Sequence, residues 1–264
     1  MGSADTNISA LRTGYDDLAG LVSGLGIDDL ERSSGSSEWD ISQVLSHLGS
    51  GAEIGRAVVE AALDGKPAPG GDFNHSVWDR WNAMTRRERA DGFIEANEIL
   101  VRLYESLDAA TRESLRIDMG FLPAPIDVAT AARMRLNEFT LHAWDVHVSF
   151  DEQATLRPDA TAILLHGDTS MLSWIAKPDA LDGRRLVIKV TTTDPASVIA
   201  LRLQEPIGID FDAPEQADGT LTLPAEAWLR LLAGRLKPPY IPDALILTEG
   251  AADLALLRRV FPGF

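Results

Sequence analysis

The segment RMRLNEFTLHAWDVH, residues 133–147, constrains the fold of this chain more than any other stretch of its sequence. Four of its polar residues are spaced by three, four and three positions: Arg135, Glu138, His142 and Asp145. At about 100° per residue, these residues share a helical face roughly 80° wide. Apolar residues lie beside that face, which predicts a helix whose polar cluster points into the protein.

A carboxylate and an imidazole buried four residues apart need a strong partner, because burial without one is costly. Much earlier in the chain, the segment WDISQVLSHL, residues 39–48, places His47 in a second apolar helical pattern. Two histidines and one glutamate, with one position left open, form a common catalytic zinc site. The sequence therefore predicts a divalent metal site, with zinc as the expected ion, at His47, Glu138 and His142.

Simpler interpretations exist for each of these residues. A Glu–His pair four positions apart is common on exposed helices, and a histidine among Val44, Leu45 and Leu48 is often a hydrogen-bonded core residue. Asp145 either accepts a hydrogen bond from a ligand imidazole or forms a salt bridge with Arg135 or a neighbour. The metal site is favoured because the segment with His47 and the segment with Glu138 and His142 both lie on inward faces of the same predicted bundle.

The other aromatic and histidine residues carry weaker signals. Trp39 and Trp144 are expected to be core aromatics. The remaining histidines lack a convincing partner and are expected to be structural or surface residues: His75, His147 and His166.

Composition limits the classes of function. A net charge of −16 argues against a general nucleic-acid binder and against docking on an anionic membrane. The chain has no cysteine, which excludes disulfides, thiolate ligands and a cysteine nucleophile, so any thiol chemistry must use a thiol from outside. The N-terminus lacks a signal-peptide pattern and no apolar run has the length of a membrane helix, so we expect a cytoplasmic protein.

Hydrophobic periodicity divides the chain into two predicted domains, residues 1–152 and 153–264. The first is predicted to hold four helices: one over about 8–25 capped by Thr6 or Asn7, one capped by Ser36, Ser37 or Asp40 and ending near Leu63, one over 75–107, and one that follows a cap at Asp127. The second is predicted to mix helices at 160–174, 224–236 and 252–260 with strands at 184–193, 197–203, 207–211, 219–223 and 245–248. The predicted class is α+β, with a metal-binding four-helix bundle first.

Arg235 stands out in the second half because it follows Gly234 at the predicted end of a helix. An arginine in that position can present a two-pronged donor to a carboxylate. The simpler interpretation is a cation that complements the helix macrodipole.

Residues 39–48 and 135–146 resemble the two signature segments of mycothiol-dependent maleylpyruvate isomerases, within the DinB-like metalloenzyme superfamily. The second half is similar in outline to that family's sterol-carrier-like α+β domain, mainly through Ala233-Gly234-Arg235. The resemblance implies a bundle that holds zinc through the same two histidines and glutamate, with mycothiol, a sugar-based thiol, as cosubstrate. It also implies that Arg235 meets a substrate carboxylate across the domain interface.

The leading hypothesis is therefore a metal- and mycothiol-dependent transferase or isomerase, with Asp145 and Arg235 as the further catalytic residues. Transferase is slightly favoured because more substrates fit it. The alternative is a non-catalytic protein that keeps the metal-binding bundle and binds a small ligand in an apolar pocket of its second domain. The expected partners are mycothiol and a small electrophile, with no nucleic acid and no membrane, in a monomer or homodimer.

Overall fold

The computed structural model describes residues 3–167, 175–238, 240–241 and 246–263. The chain divides into two compact units, Gly2–Phe150 and Asp151–Phe264. The first unit is helical and the second combines helices with a five-stranded sheet, which confirms the α+β class. Within the described residues, no helix combines the length and the apolar character needed to cross a bilayer.

Helices build the first unit. They are α1 (Ala4–Ser23), α2 (Ile27–Leu30), α3 (Ile41–Leu63), α4 (Gly71–Ala83), α5 (Arg86–Ser106), α6 (Ala109–Ser114) and α7 (Val128–His147). Helix α1 packs against α5 and α7, and α3 packs against the same two helices, so the four longest helices surround one core. A short antiparallel hairpin of β1 (Arg116–Ile117) and β2 (Ile126–Asp127) precedes α7.

Side-chain caps set where the first helices begin. Asp40 Oδ1 accepts a hydrogen bond from the Gln43 backbone N–H at 2.8 Å, and Gln43 Oε1 accepts from the Asp40 N–H at 2.9 Å. This reciprocal capping box starts α3 at one of the predicted positions. The predicted cap of α1 was wrong: Ser3, rather than Thr6 or Asn7, accepts from a backbone N–H in the first turn.

The helix predicted over 75–107 is two helices, α4 and α5. Thr85 caps α5, and Glu88 Oε2 accepts a hydrogen bond from the Thr85 backbone N–H at 2.7 Å. A capping box inside the apolar pattern therefore ends one helix and starts the next. The fourth predicted helix is α7, capped by Asp127 as expected.

The second unit is organised by a sheet with strand order β5-β4-β3-β6-β7, in which only β3 and β6 pair in parallel. Its elements are α8 (Pro158–Leu164), a 3₁₀ turn (Pro178–Leu181), β3 (Leu186–Thr193), β4 (Ser197–Leu203), β5 (Gly208–Asp210), β6 (Gly219–Pro224), α9 (Ala225–Leu232), β7 (Leu247–Gly250) and α10 (Leu254–Val260). The register sets Val190 opposite Ile199 and Leu221, so these buried side chains share one face. Trp228 and Leu231 of α9 belong to the same core.

Most predicted elements of this unit are present with shifted ends. The strands at 184–193, 197–203, 207–211 and 219–223 correspond to β3–β6, and the last strand and helix correspond to β7 and α10. The helix predicted at 160–174 is present as α8 but stops at Leu164, while residues 168–174, like Leu245, lie outside the described residues. The helix predicted at 224–236 ends at Leu232, because Gly234 adopts a left-handed φ of 70°.

Candidate metal centre

Three side chains with metal-ligating atoms converge between α3 and α7. Nε2 of His47 lies 2.5 Å from Oε1 of Glu138, and Nε2 of His142 lies 3.5 Å from the same oxygen. The ligand atoms of the three residues all lie within 4.8 Å of one another. Ligand atoms around a tetrahedral zinc are separated by about 3.3 Å, given bonds near 2.0–2.1 Å, so this arrangement fits a divalent metal.

The apolar faces of the two helices position these side chains. Val44, Leu45 and Leu48 of α3 are fully buried, which fixes the rotation of the helix around its axis and brings His47 to the side that faces α7. Leu136 and Phe139 of α7 are each 1% exposed and fix that helix in the same way. The inward polar face predicted for residues 133–147 therefore lies beside α3.

The centre is closed on one side and open on the other. The side chain of Asp145 is fully buried and that of His142 is 12% exposed, whereas His47 and Glu138 keep 39% and 44% of their side-chain surface. A catalytic metal needs such an open side, because a substrate or cosubstrate must reach its free position.

Asp145 contacts the buried ligand of the cluster. Its Oδ2 lies 2.8 Å from Nδ1 of His142, and since an ionised carboxylate only accepts, the Nδ1–H of His142 donates. That tautomer leaves the lone pair of Nε2 for a metal. The alternative salt bridge with Arg135 is not formed, because Nη2 of Arg135 donates to the Leu48 carbonyl at 2.7 Å and to Asn97 Oδ1 at 2.6 Å.

Glu138 is ionised in this setting. Burial raises the pKa of its carboxyl group, but the contacts with the imidazoles of His142 and His47 outweigh burial and hold the pKa of Glu138 well below its usual range. A carboxylate between two imidazoles is a negative site that a divalent cation would neutralise.

Trp39 covers both histidine ligands. Its ring centroid lies 5.2 Å from that of His47 and 5.9 Å from that of His142, nearly parallel to the latter at 24°. The expectation that Trp39 is a core aromatic was wrong, since the residue is only half-buried, whereas Trp144 is 2% exposed and lies in the core. The missed signal was the position of Trp39 directly before the Asp40 cap, at the entry to the helix that carries His47.

Asn97 was also missed by sequence reasoning. The residue is 1% exposed, its Nδ2 donates to the Phe93 carbonyl at 2.9 Å, and its Oδ1 accepts from Arg135 at 2.6 Å. A lone amide beside Leu100 and Val101 on the buried face of α5 was the available signal. Buried polar groups of this kind are costly without partners, so Asn97 and Arg135 depend on one another.

The other histidines do not join the cluster within the described residues. His147 lies 3.1 Å from Asp17, and the rings of His75 and His166 pack against those of Trp78 and Phe211 respectively. They are structural or surface residues, as expected.

Arg235 follows the end of α9 in the second unit. Its backbone N–H donates to the Arg230 carbonyl at 2.7 Å, and its Nη1 donates to the Ala233 carbonyl at 3.2 Å. The guanidinium thus donates a hydrogen bond at the C-terminal end of α9. This position agrees with the simpler interpretation, a cation that complements the helix macrodipole. Its contact with a substrate carboxylate stays a prediction.

A buried ion pair stabilises the same region and had not been predicted. Arg230, 1% exposed, donates to both carboxylate oxygens of Glu226 at 2.6 and 2.9 Å, and its Nη1 donates to the Tyr240 carbonyl at 2.8 Å. The bidentate pair holds the Arg230 guanidinium in place on α9, and the hydrogen bond to Tyr240 links the helix to the segment that follows Arg235.

Comparison with known proteins decides the family. The family profile of the mycothiol maleylpyruvate isomerase N-terminal domain matches residues 11–147, just over half of the chain, including both segments that carry the centre. The chain belongs to this family. Two solved structures, a mycothiol-dependent maleylpyruvate isomerase and its histidine-to-alanine mutant, each align at a TM-score of 0.64 and 12% identity, over 96% of this chain and 98% of theirs. At that identity the likeness shows a shared fold, and the chain matches no curated protein in sequence.

Proposed function

We propose that this protein is a metal-dependent enzyme that activates mycothiol as a thiolate for addition to an electrophilic small molecule. The observation that carries the proposal is the convergence of His47, Glu138 and His142 in a family named for mycothiol. In this proposal the first unit is a DinB-like bundle and the second a sterol-carrier-like domain. The outcome is either transfer of the thiol to the substrate or cis–trans isomerisation.

The residues at the centre suit a zinc ion. Two imidazoles and a carboxylate would hold it, and when bound it supplies a Lewis acid that lowers the pKa of a thiol. Asp145 keeps the His142 ring in one orientation and makes it a better donor of its lone pair. The partly exposed sides of His47 and Glu138 leave room for the cosubstrate to approach.

The nucleophile must come from outside, because the chain has no cysteine. The S–H proton of the cosubstrate passes to solvent, and the sulfur then forms a bond to an electrophilic carbon of the substrate. In the transfer outcome, either the bond to a leaving group breaks and its electron pair departs with that group, or the π bond of the electrophile breaks and the resulting anion takes a proton from solvent. In the isomerase outcome, the π electrons move to the carbonyl group as an enolate, and the carbon–carbon bond, now single, rotates. The double bond then re-forms as the C–S bond breaks, and the released thiolate takes a proton from solvent.

We propose that Arg235 binds a carboxylate of the substrate. A planar guanidinium presents two parallel donors to a carboxylate, which both neutralises and orients it. The proposal rests on the resemblance of Ala233-Gly234-Arg235 to the second domain of the isomerase family and on the position of the residue at a helix end.

Mass analysis of products tests the proposal. Metal-loaded protein is incubated with mycothiol and either maleylpyruvate or a panel of electrophiles, and His142→Ala serves as the inactive control. An isomerase gives a product of unchanged mass that chromatography separates from the substrate, and it consumes no thiol, whereas a transferase gives a thiol adduct. Binding of the electrophile without any product above the protein-free rate would support the non-catalytic alternative.

A further inference from the structure

Arg135 places a positive charge in the bundle interior, one helical turn from Glu138. Its Nη2 donates only to uncharged acceptors, the Leu48 carbonyl and Asn97 Oδ1. Within the described part of the chain, Arg135 forms no ion pair, and its Nε is buried without a hydrogen-bond partner. The buried Arg230 of the second unit, by contrast, pairs with a carboxylate.

While Glu138 is free of metal, its negative charge offsets part of the positive charge of Arg135. Burial lowers the pKa of Arg135 and the negative charge of Glu138 opposes that effect, and the guanidinium remains protonated at neutral pH. If Glu138 binds a divalent cation, its charge is taken up by that cation. Two positive centres then share the bundle interior, which is unfavourable until an anion joins them.

The geometry points to Nη1 as the donor that such an anion would approach. A Cβ atom added to Gly51 would lie 3.1 Å from Nη1, so Nη1 lies beside Gly51. Gly51 follows His47 by one turn on α3, and Arg135 precedes Glu138 by one turn on α7. Arg135 therefore lies in the layer next to the ligands, about 5 Å along the bundle. Its side chain is only half-buried, so part of it remains accessible.

We propose that Arg135 is the second cation of an anion-binding subsite in the metal pocket. The subsite takes one monovalent anion, which is either the thiolate of the cosubstrate or a carboxylate of the electrophile. Hydrogen bonds to Leu48 and Asn97 hold the guanidinium in place, and its charge stabilises the bound anion. This inference rests on the proposed function.

Co²⁺-loaded protein allows metal and anion binding to be measured separately by absorption. The probes are 2-mercaptoethanol, which has a thiol and no carboxylate, and pyruvate, which has a carboxylate and no thiol. Arg135→Gln keeps a donor for the Leu48 carbonyl but removes the charge. The matched control is Arg133→Gln, which removes a charge from the same helix two positions away.

We expect Arg135→Gln to bind Co²⁺ at least as tightly as the wild type, because a repulsive charge is removed. We expect it to bind one of the two probes about tenfold more weakly. A loss confined to 2-mercaptoethanol identifies the anion as the thiolate, and a loss confined to pyruvate identifies it as the carboxylate.

Three results would overturn the inference. The first is unchanged affinity of Arg135→Gln for both probes. The second is an equal loss of probe affinity in Arg133→Gln. The third is weaker Co²⁺ binding by Arg135→Gln with unchanged anion binding, which would show that Arg135 has only a structural role. Wild-type protein that binds neither probe would overturn the proposed function as well.

Two more variants guard against a folding defect. Arg135→Lys keeps the charge and should bind the probe within about threefold of wild type. Arg135→Met is the second uncharged variant if Arg135→Gln does not fold. A Lys variant that loses as much affinity as the uncharged ones would show that charge is not the cause.

Discussion

Oδ2 of Asp145 lies 2.8 Å from Nδ1 of His142, in an interior where the Asp145 side chain has no exposed surface. Asp145→Asn keeps the shape of the side chain but removes the charge that orients and polarises the imidazole. Metal affinity should fall by about 10–100-fold while the helix content stays unchanged. Competitive metal titration of the folded variant measures this.

Asp17→Asn is the matched control for that titration. Asp17 lies 3.1 Å from Nε2 of His147, which is a carboxylate–imidazole contact outside the cluster. Equal metal affinity in Asp145→Asn and Asp17→Asn would remove Asp145 from the site.

Trp39 should report metal occupancy by fluorescence, because its indole lies 5.2 and 5.9 Å from the two ligand rings. Co²⁺ should quench the emission of the wild type, and Trp39→Phe should lose most of that change while keeping its metal content. Trp78→Phe is the control, since Trp78 is 43% exposed on α4. Equal quenching in the wild type and in Trp39→Phe would place the metal away from Trp39.

Two glycines of α3 should respond to alanine in opposite directions. A Cβ at Gly49 would lie 2.1 Å from Cη2 of the buried Trp81, whereas the nearest atom to a Cβ at Gly55 is Leu100 Cδ2 at 3.6 Å. Gly49→Ala should lower the free energy of unfolding by about 1–3 kcal/mol, because the indole must move. Gly55→Ala should raise it by about 0.5–1 kcal/mol through helix propensity. Denaturant unfolding of both variants tests this, and a change of the same sign in both would contradict it.

Arg235 should matter for turnover and not for metal content. With a carboxylate-bearing substrate, Arg235→Ala should lower kcat/KM by about 10–100-fold, the scale of a lost hydrogen bond to a charged group. Arg235→Lys should also have a lower kcat/KM, because lysine cannot form a bidentate hydrogen bond to a carboxylate. Arg259→Ala, at an exposed position on α10, is the control. Wild-type kcat and KM in both Arg235 variants would exclude Arg235 from the site.

Local periodicity was enough to predict the inward polar face of α7, because the four polar residues share it whatever the helix packs against. Periodicity could not predict which residue of the facing helix Glu138 contacts. The contact between His47 and Glu138 spans 91 positions and depends on how α3 and α7 pack.

The partners of Arg135 could not be predicted from periodicity either. Periodicity grouped it with the ligands and allowed a salt bridge to Asp145, yet the two residues lie almost three turns apart on one helix. The guanidinium instead reaches Leu48 on α3 and Asn97 on α5. Its partners are a backbone carbonyl and a lone amide, neither of which leaves a clear sequence pattern.

Helix ends were misjudged where a cap lies inside an apolar pattern. The apolar spacing continues across Thr85, so only the pairing of Thr85 with Glu88 marks the break between α4 and α5. Capping decides such boundaries because it satisfies the free backbone N–H groups of the first helical turn, and hydrophobic periodicity carries no information about those groups.

Elemental analysis of purified protein measures whether His47, Glu138 and His142 hold a metal. Wild type is compared with His142→Ala and with His75→Ala, whose ring packs on Trp78 outside the cluster. We predict about one divalent metal per chain in wild type and in His75→Ala, and a severe loss in His142→Ala, since a ligand bond is removed. Equal metal content in wild type and His142→Ala would show that His142 is not a metal ligand.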